Sequence, residues 1–185
     1  MTTVLTVYAE ADPDTKVESK VFARQVLSIL QDPRGWPRAG IRFVAGKDAK
    51  TSDLWIRLAT NDSVKRDCGF NMMSCAWVGG KRSLINLERW SKVTQVSGLS
   101  LPDYRRYVIN HETGHLLGLH DNMSQGTPDI LAPVMVQHTL GPRGYRPNNR
   151  PRDDELARVV KLGPARLQIK PKKGGTKKKT TKKKK

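Results

Sequence analysis

The chain has 185 residues, 34 of them Lys or Arg against 17 Asp or Glu, for a formal net charge of +17. Hydrophobic residues make up 37% of it, and the residue mix excludes a coiled coil, a collagen-like chain and a wholly disordered one. The charge is uneven: residues 163–185 hold 11 basic groups and no acidic one, which leaves +6 on residues 1–162. One globular domain over 1–162 is therefore expected, followed by a disordered, Lys-rich basic tail over 163–185. No run approaches ~18 apolar residues, so no transmembrane helix is expected. Residues 1–10 lack the basic start and apolar stretch of a signal peptide, which predicts a cytoplasmic or nuclear location. With only Cys68 and Cys75 there is no disulfide framework, and a single local bridge and two reduced thiols both stay open.

Val4, Leu5, Thr6, Val7 and Tyr8 are β-branched, apolar or aromatic and read as the first strand. Asp12-Pro13-Asp14 is a turn, and Thr15 with Glu18 has capping-box spacing. Val17, Val21, Phe22, Val26, Leu27 and Leu30 then predict a helix over 16–30, stopped at Asp32-Pro33. Residues 41–45 form a short strand, and 53–59 another in which Leu54, Ile56 and Leu58 alternate with Trp55 and Arg57. Residues 61–73 read as irregular. A hairpin is expected from 76–78 through Gly79-Gly80-Lys81, returning over 83–87. From Pro102 to Gly118 the pattern is helical, with Tyr104, Tyr107, Val108 and Leu116 near one face. Gly and Pro make the stretch to Pro151 mostly loop. A last helix over 153–162 is capped by Asp153 and stopped by Gly163-Pro164. This order predicts an α/β (α+β) domain, one mixed sheet against two or three helices.

The chemistry is concentrated between Asn110 and Asp121. His111 and His115 stand four apart on the predicted helix, so both imidazoles reach one side and suit a single Zn²⁺. Glu112, beside the first ligand, is placed to take a proton from the metal's water and pass it to a leaving amine. In the long motif HExxHxxGxxH a Gly ends the helix and the chain delivers a third ligand three residues later. Gly118 matches that Gly. The matching ligand position holds Asp121, an oxygen donor acceptable to zinc, with His120 the alternate third ligand one residue earlier. His138 reads as structural or exposed, and Tyr145 as a loop aromatic before an oxyanion stabiliser.

With those residues, the chain resembles the metzincin zinc peptidases, and more closely a bacterial, mostly extracellular family of uncharacterised metzincin-like domains. The likeness spans about residues 17–150. It includes Asp32-Pro33-Arg34-Gly35-Trp36, Ser74-Cys75, Ile85-Asn86-Leu87-Glu88-Arg89-Trp90 and the run Tyr104-Arg105-Arg106-Tyr107-Val108-Ile109-Asn110 into the zinc motif. Ala132-Pro133-Val134-Met135 is similar to the metzincin Met-turn, in which Met135 would lie as an apolar floor beneath the ligands. The resemblance implies a metzincin-like zincin domain: a mixed sheet packed on an active-site helix and an N-terminal helix, with a Met-turn and a C-terminal helix. It implies a zinc metalloendopeptidase acting on peptide or protein substrates. Three departures stand out. Asp121 occupies a position where the family pattern has His, as in Asp-type, snapalysin-like metzincins. The family's export signal and the Cys after its third ligand are also missing. From chain order, residues 83–87 are the expected edge strand for a peptide substrate.

The tail is a separate signal. Residues 170–185 would bind a polyanion such as nucleic acid with steep salt dependence, or act as a nuclear address, or merely solubilise the chain. Similar tails in large DNA viruses make a virion-associated protein the alternative location. Rival readings are a catalytically inactive metzincin fold in a structural role and a nucleic-acid packaging protein.

Overall fold

The computed structural model describes residues 2–70 and 72–163; all of the predicted tail except Gly163 lies outside the described residues. Five strands, β1 (Thr3–Ala11), β2 (Ile41–Ala45), β3 (Leu54–Ala59), β4 (Cys75–Ala76) and β5 (Arg82–Asn86), form one sheet in the order β2-β1-β3-β5-β4. The first four in that order are parallel, and β4 runs antiparallel to β5. Among the described residues five α-helices accompany them: α1 (Ser19–Leu30), α2 (Asn61–Cys68), α3 (Leu87–Ser91), α4 (Leu101–Leu116) and α5 (Asp153–Leu162). This is the mixed α/β architecture expected.

The period-two alternation of the strands decides which face is covered. Leu5, Val7, Ile41, Phe43, Leu54, Ile56 and Leu58 point to one side and are buried. There they join Phe22, Val26 and Leu30 of α1 and Tyr104, Tyr107, Val108 and Ile109 of α4 in one core. Phe22 meets Trp90 edge-on, with ring centroids 5.0 Å apart. Trp36 is fully buried and donates its Nε1–H to the Asn110 carbonyl at 3.2 Å, which anchors the loop after α1 to the middle of α4. On the opposite face α2 covers one end of the sheet, with Val64 on Ala59 and Leu84.

Several elements differ from expectation for physical reasons. The first helix begins at Ser19, not residue 16. Pro13 opens a 3-10 turn over Pro13–Thr15 and Lys16 takes a left-handed φ of 57°, so Thr15 and Glu18 form no capping box. The Thr15 hydroxyl instead donates to the Asp12 carbonyl at 2.6 Å. The stretch expected to be irregular contains α2, which is capped by the Thr60 hydroxyl and closed by Gly69 at φ 82°. Val64 is the only large apolar residue that α2 buries, so the helix shows no apolar periodicity. The return strand of the hairpin is β5, and Leu87 belongs to α3, capped by the Asn86 side chain. The strand over 83–87 is not a sheet edge: β5 lies between β3 and β4, and the short β4 is the edge on that side. Arg152, not Asp153, sits at the N-cap of α5. Cys68 and Cys75 form a disulfide that joins the end of α2 to β4.

Candidate metal centre

Ser100 caps α4, accepting the Asp103 N–H, and Pro102 sits in its first turn, where a missing N–H costs nothing. The last two turns of α4 carry Asn110 to Leu116, all buried. His111 and His115 thus project together from a rigid element. Each ring is fixed through Nδ1: His111 to the Val134 carbonyl at 2.9 Å, His115 to the Leu119 carbonyl at 2.8 Å. A carbonyl partner requires Nδ1 to carry the proton, which leaves the Nε2 lone pair free for a ligand.

Beyond α4 the chain reverses at Gly118, whose φ is 96°. The Gly118 N–H returns to the His115 carbonyl and the Leu119 N–H to the Gly114 carbonyl, both at 2.9 Å. The reversal brings Asp121 back over the two imidazoles. Its Oδ1 lies 3.3 Å from His111 Nε2 and 3.6 Å from His115 Nε2, and the three ligand atoms all fall within 4.8 Å of one another. Ligand atoms of a tetrahedral zinc bonded at ~2.0–2.1 Å sit roughly 3.4 Å apart. The donor set therefore has the chemistry and spacing for such an ion. At this centre two of the buried polar atoms, His111 Nε2 and Glu112 Oε2, lack a hydrogen bond of good geometry. Leaving such groups unpaired costs about 1–3 kcal/mol each, and a cation in this cradle would take up the His111 lone pair. His120 lies outside the cluster and lines the cleft beside it.

Protonation follows from burial and mutual charge. Burial pushes the Glu112 carboxyl up to about 7, opposed by His111 and reinforced by Asp121. Burial, seconded by the His111 charge, lowers His115 to about 4 and keeps it neutral at pH 7. For His111 burial acts downward, but Asp121, Glu112 and the Val134 carbonyl together outweigh it and raise the ring. For Asp121 burial acts upward and is overcome by His111, His115 and His120, which hold it below the usual carboxylate range.

Met135 packs directly beneath the helix. A Cβ on Gly114 would overlap the Met135 Sδ and press on the Trp36 ring at 3.2 Å, so glycine is what lets Met135 approach. The turn carrying Met135 is itself held from α5. Glu155, only 1% exposed, accepts the Val134 and Met135 N–H groups at 2.9 Å each, and also the Arg152 N–H. Burial raises this carboxyl while the three amides pull it back.

The centre opens into a cleft of about 420 Å³ lined by Glu112, His115, His120 and Asp121, with Phe70, Met73, Trp77 and Val78 as its apolar wall. The hairpin that bears Trp77 is tied to α4 by the Gly79 N–H, which donates to the His115 carbonyl at 2.8 Å. His138 is completely buried, its ring 4.6 Å from Tyr107, and is not in the cluster. Tyr145 pairs its hydroxyl with Ser124 and packs on Gly126. Sequence reading missed the apolar wall and Glu155. The only local sign of Glu155 was an acidic residue in the first turn of a helix, which ordinarily signals no more than capping.

No curated protein matches this chain. Among solved structures, the crystal structure of archaemetzincin from Methanopyrus kandleri aligns with 86% of this chain and 94% of its own, at 12% identity and a TM-score of 0.50. The structure of myroilysin covers 69% of this chain at 13% identity and a TM-score of 0.39. A chaperone–substrate complex covers 90% at 11% identity and a TM-score of 0.48. The chain spans 35% of the matched chain in that complex and 55% of myroilysin. The archaemetzincin likeness shows a zincin-like fold. The model of the family described as protein of unknown function (DUF3152) matches residues 3–146, and the chain belongs to that family.

Proposed function

We propose that this protein is a zinc-dependent peptidase. The observation that carries the reading is one juxtaposition. Two Nε2 atoms and the Asp121 carboxylate converge within 4.8 Å, and the buried Glu112 carboxyl stands beside them at the wall of an open cleft. His111 and His115 would hold the ion through Nε2, and Asp121 through a carboxylate oxygen. When bound, zinc supplies a Lewis acid that polarises a carbonyl and acidifies water. Glu112, raised toward 7 by burial, accepts a proton from water at neutral pH and returns it to the leaving amine. The outer side of β4 offers backbone groups to an extended peptide. The tail at 170–185, with its excess of Lys, would hold the enzyme near a polyanion.

The test is digestion of a peptide library by zinc-loaded protein. Cleavage should stop with a chelator, return with zinc, and fall by about 10²–10⁴ in Glu112→Ala. Full zinc loading without cleavage of any peptide would instead support the inactive, structural reading.

A further inference from the structure

Glu155 has an environment that packing and capping do not explain. Its carboxylate is all but inaccessible, yet no Lys, Arg or His among the described residues pairs with it. The neighbouring Arg152 guanidinium goes to Asp154 and to the Leu131 carbonyl. Burying a carboxylate without a counter-ion costs several kcal/mol unless hydrogen bonds replace water. Capping α5 needs only the bond from the Arg152 N–H. The other two go to the turn beneath the metal centre, 20 and 21 residues away in sequence.

The peptide unit between Val134 and Met135 is the link. Its N–H, on Met135, donates to Glu155 Oε1. Its carbonyl, on Val134, accepts from His111 Nδ1. A negative acceptor on one side of a peptide polarises it and makes the carbonyl on the other side a better acceptor. The Met135 carbonyl in turn accepts the Asn122 N–H at 2.8 Å, next to Asp121 in the chain. One carboxylate thus fixes the turn that orients both His111 and the loop bearing Asp121.

We propose that Glu155 is a positioning residue of the metal centre, acting on His111 through the Val134–Met135 peptide as a carboxylate usually acts on a ligating histidine directly. The proposal rests on the metal-site reading above. It predicts a loss of metal affinity on the order of 10–100-fold when the carboxylate is removed.

The experiment compares the full chain with Glu155→Ala, Glu155→Gln and Val159→Ala. Val159 is buried on the same helix and serves as a control for general destabilisation. Glu155→Gln keeps the shape but turns an amide NH2, a donor, toward one of the two peptide N–H groups, and it replaces Glu155→Ala if that variant does not fold. Co²⁺ is titrated against a competing chelator and its visible spectrum recorded. In metal-free protein the solvent exchange of the His111 ring Nδ1–H is followed by NMR. Both Glu155 variants should bind Co²⁺ more weakly, with an altered spectrum and a faster-exchanging ring proton, Gln less severely than Ala. Val159→Ala should keep wild-type spectrum and exchange at a similar loss of Tm. Equal affinities and exchange rates in Glu155→Ala and Val159→Ala would overturn the role of Glu155. Failure of the wild type to bind Co²⁺ would overturn the metal-site reading instead, and the ring-proton comparison would still decide the Glu155–peptide–His111 link.

Discussion

Glu112 gives a prediction in which the group proposed for chemistry is costly for the fold. Its carboxyl moves from 4.5 to about 7 on burial, worth about 3 kcal/mol at ~1.36 kcal/mol per tenfold change in proton affinity. The folded value lies above the unfolded one, so the native state holds this proton more tightly. That stability is present in full below pH 4.5 and is lost as pH rises through about 7. Glutamine at 112 resembles the protonated acid and does not titrate. Metal-free Glu112→Gln should therefore match the wild type near pH 4.5 and exceed it by about 3 kcal/mol above pH 8. His115 and His138, both lowered to about 4 chiefly by burial, add an opposite slope between pH 4 and 6.5. Both occur in the two proteins, so the difference cancels them. The assay is urea unfolding of each protein in chelator at pH 4.5, 6, 7 and 8.5. With zinc bound, the cation favours the carboxylate and the gap should shrink. A stability difference that does not change with pH would refute the reasoning.

Other expectations follow from single contacts. Gly114→Ala gains about 1 kcal/mol of helix propensity but drives a methyl into Met135 and Trp36, an overpacking of about 1–3 kcal/mol; thermal unfolding should show a net loss, and a raised Tm would contradict it. Asp121→Ala should weaken zinc binding at least 100-fold in chelator competition, while His120→Ala changes it less than about 3-fold; the reverse order would make His120 the ligand. Zinc at 100 times its Kd should raise unfolding free energy by about 3 kcal/mol, with the gain fading below pH 6 as imidazoles protonate. Removing residues 163–185 should abolish salt-dependent binding to duplex DNA and leave peptide cleavage unchanged; undiminished DNA binding would place it on the domain.

What the sequence revealed follows the range of the interactions. The pairing of His111 with His115 was legible because four residues make about one helical turn. The choice between Asp121 and His120 was not, because it depends on the φ at Gly118 and on the bond from Asn122 to Met135. Strand positions were readable from alternation, but the edge was misassigned: pairing order is a long-range property, and β4 has only two residues. α2 was hidden because its surface is almost wholly polar. Glu155 was hidden because two of its three partners lie 20 and 21 residues away and present only backbone.

The central claim is that His111, His115 and Asp121 hold one zinc ion. X-ray absorption at the zinc edge of the loaded protein, with Asp121→Ala alongside, tests it most directly. The expected result is one zinc per chain coordinated by two imidazoles and light oxygen or nitrogen atoms, without sulfur, and a change in the oxygen shell in the variant. Sulfur coordination, or a spectrum indifferent to Asp121→Ala and to His111→Ala, would contradict the account.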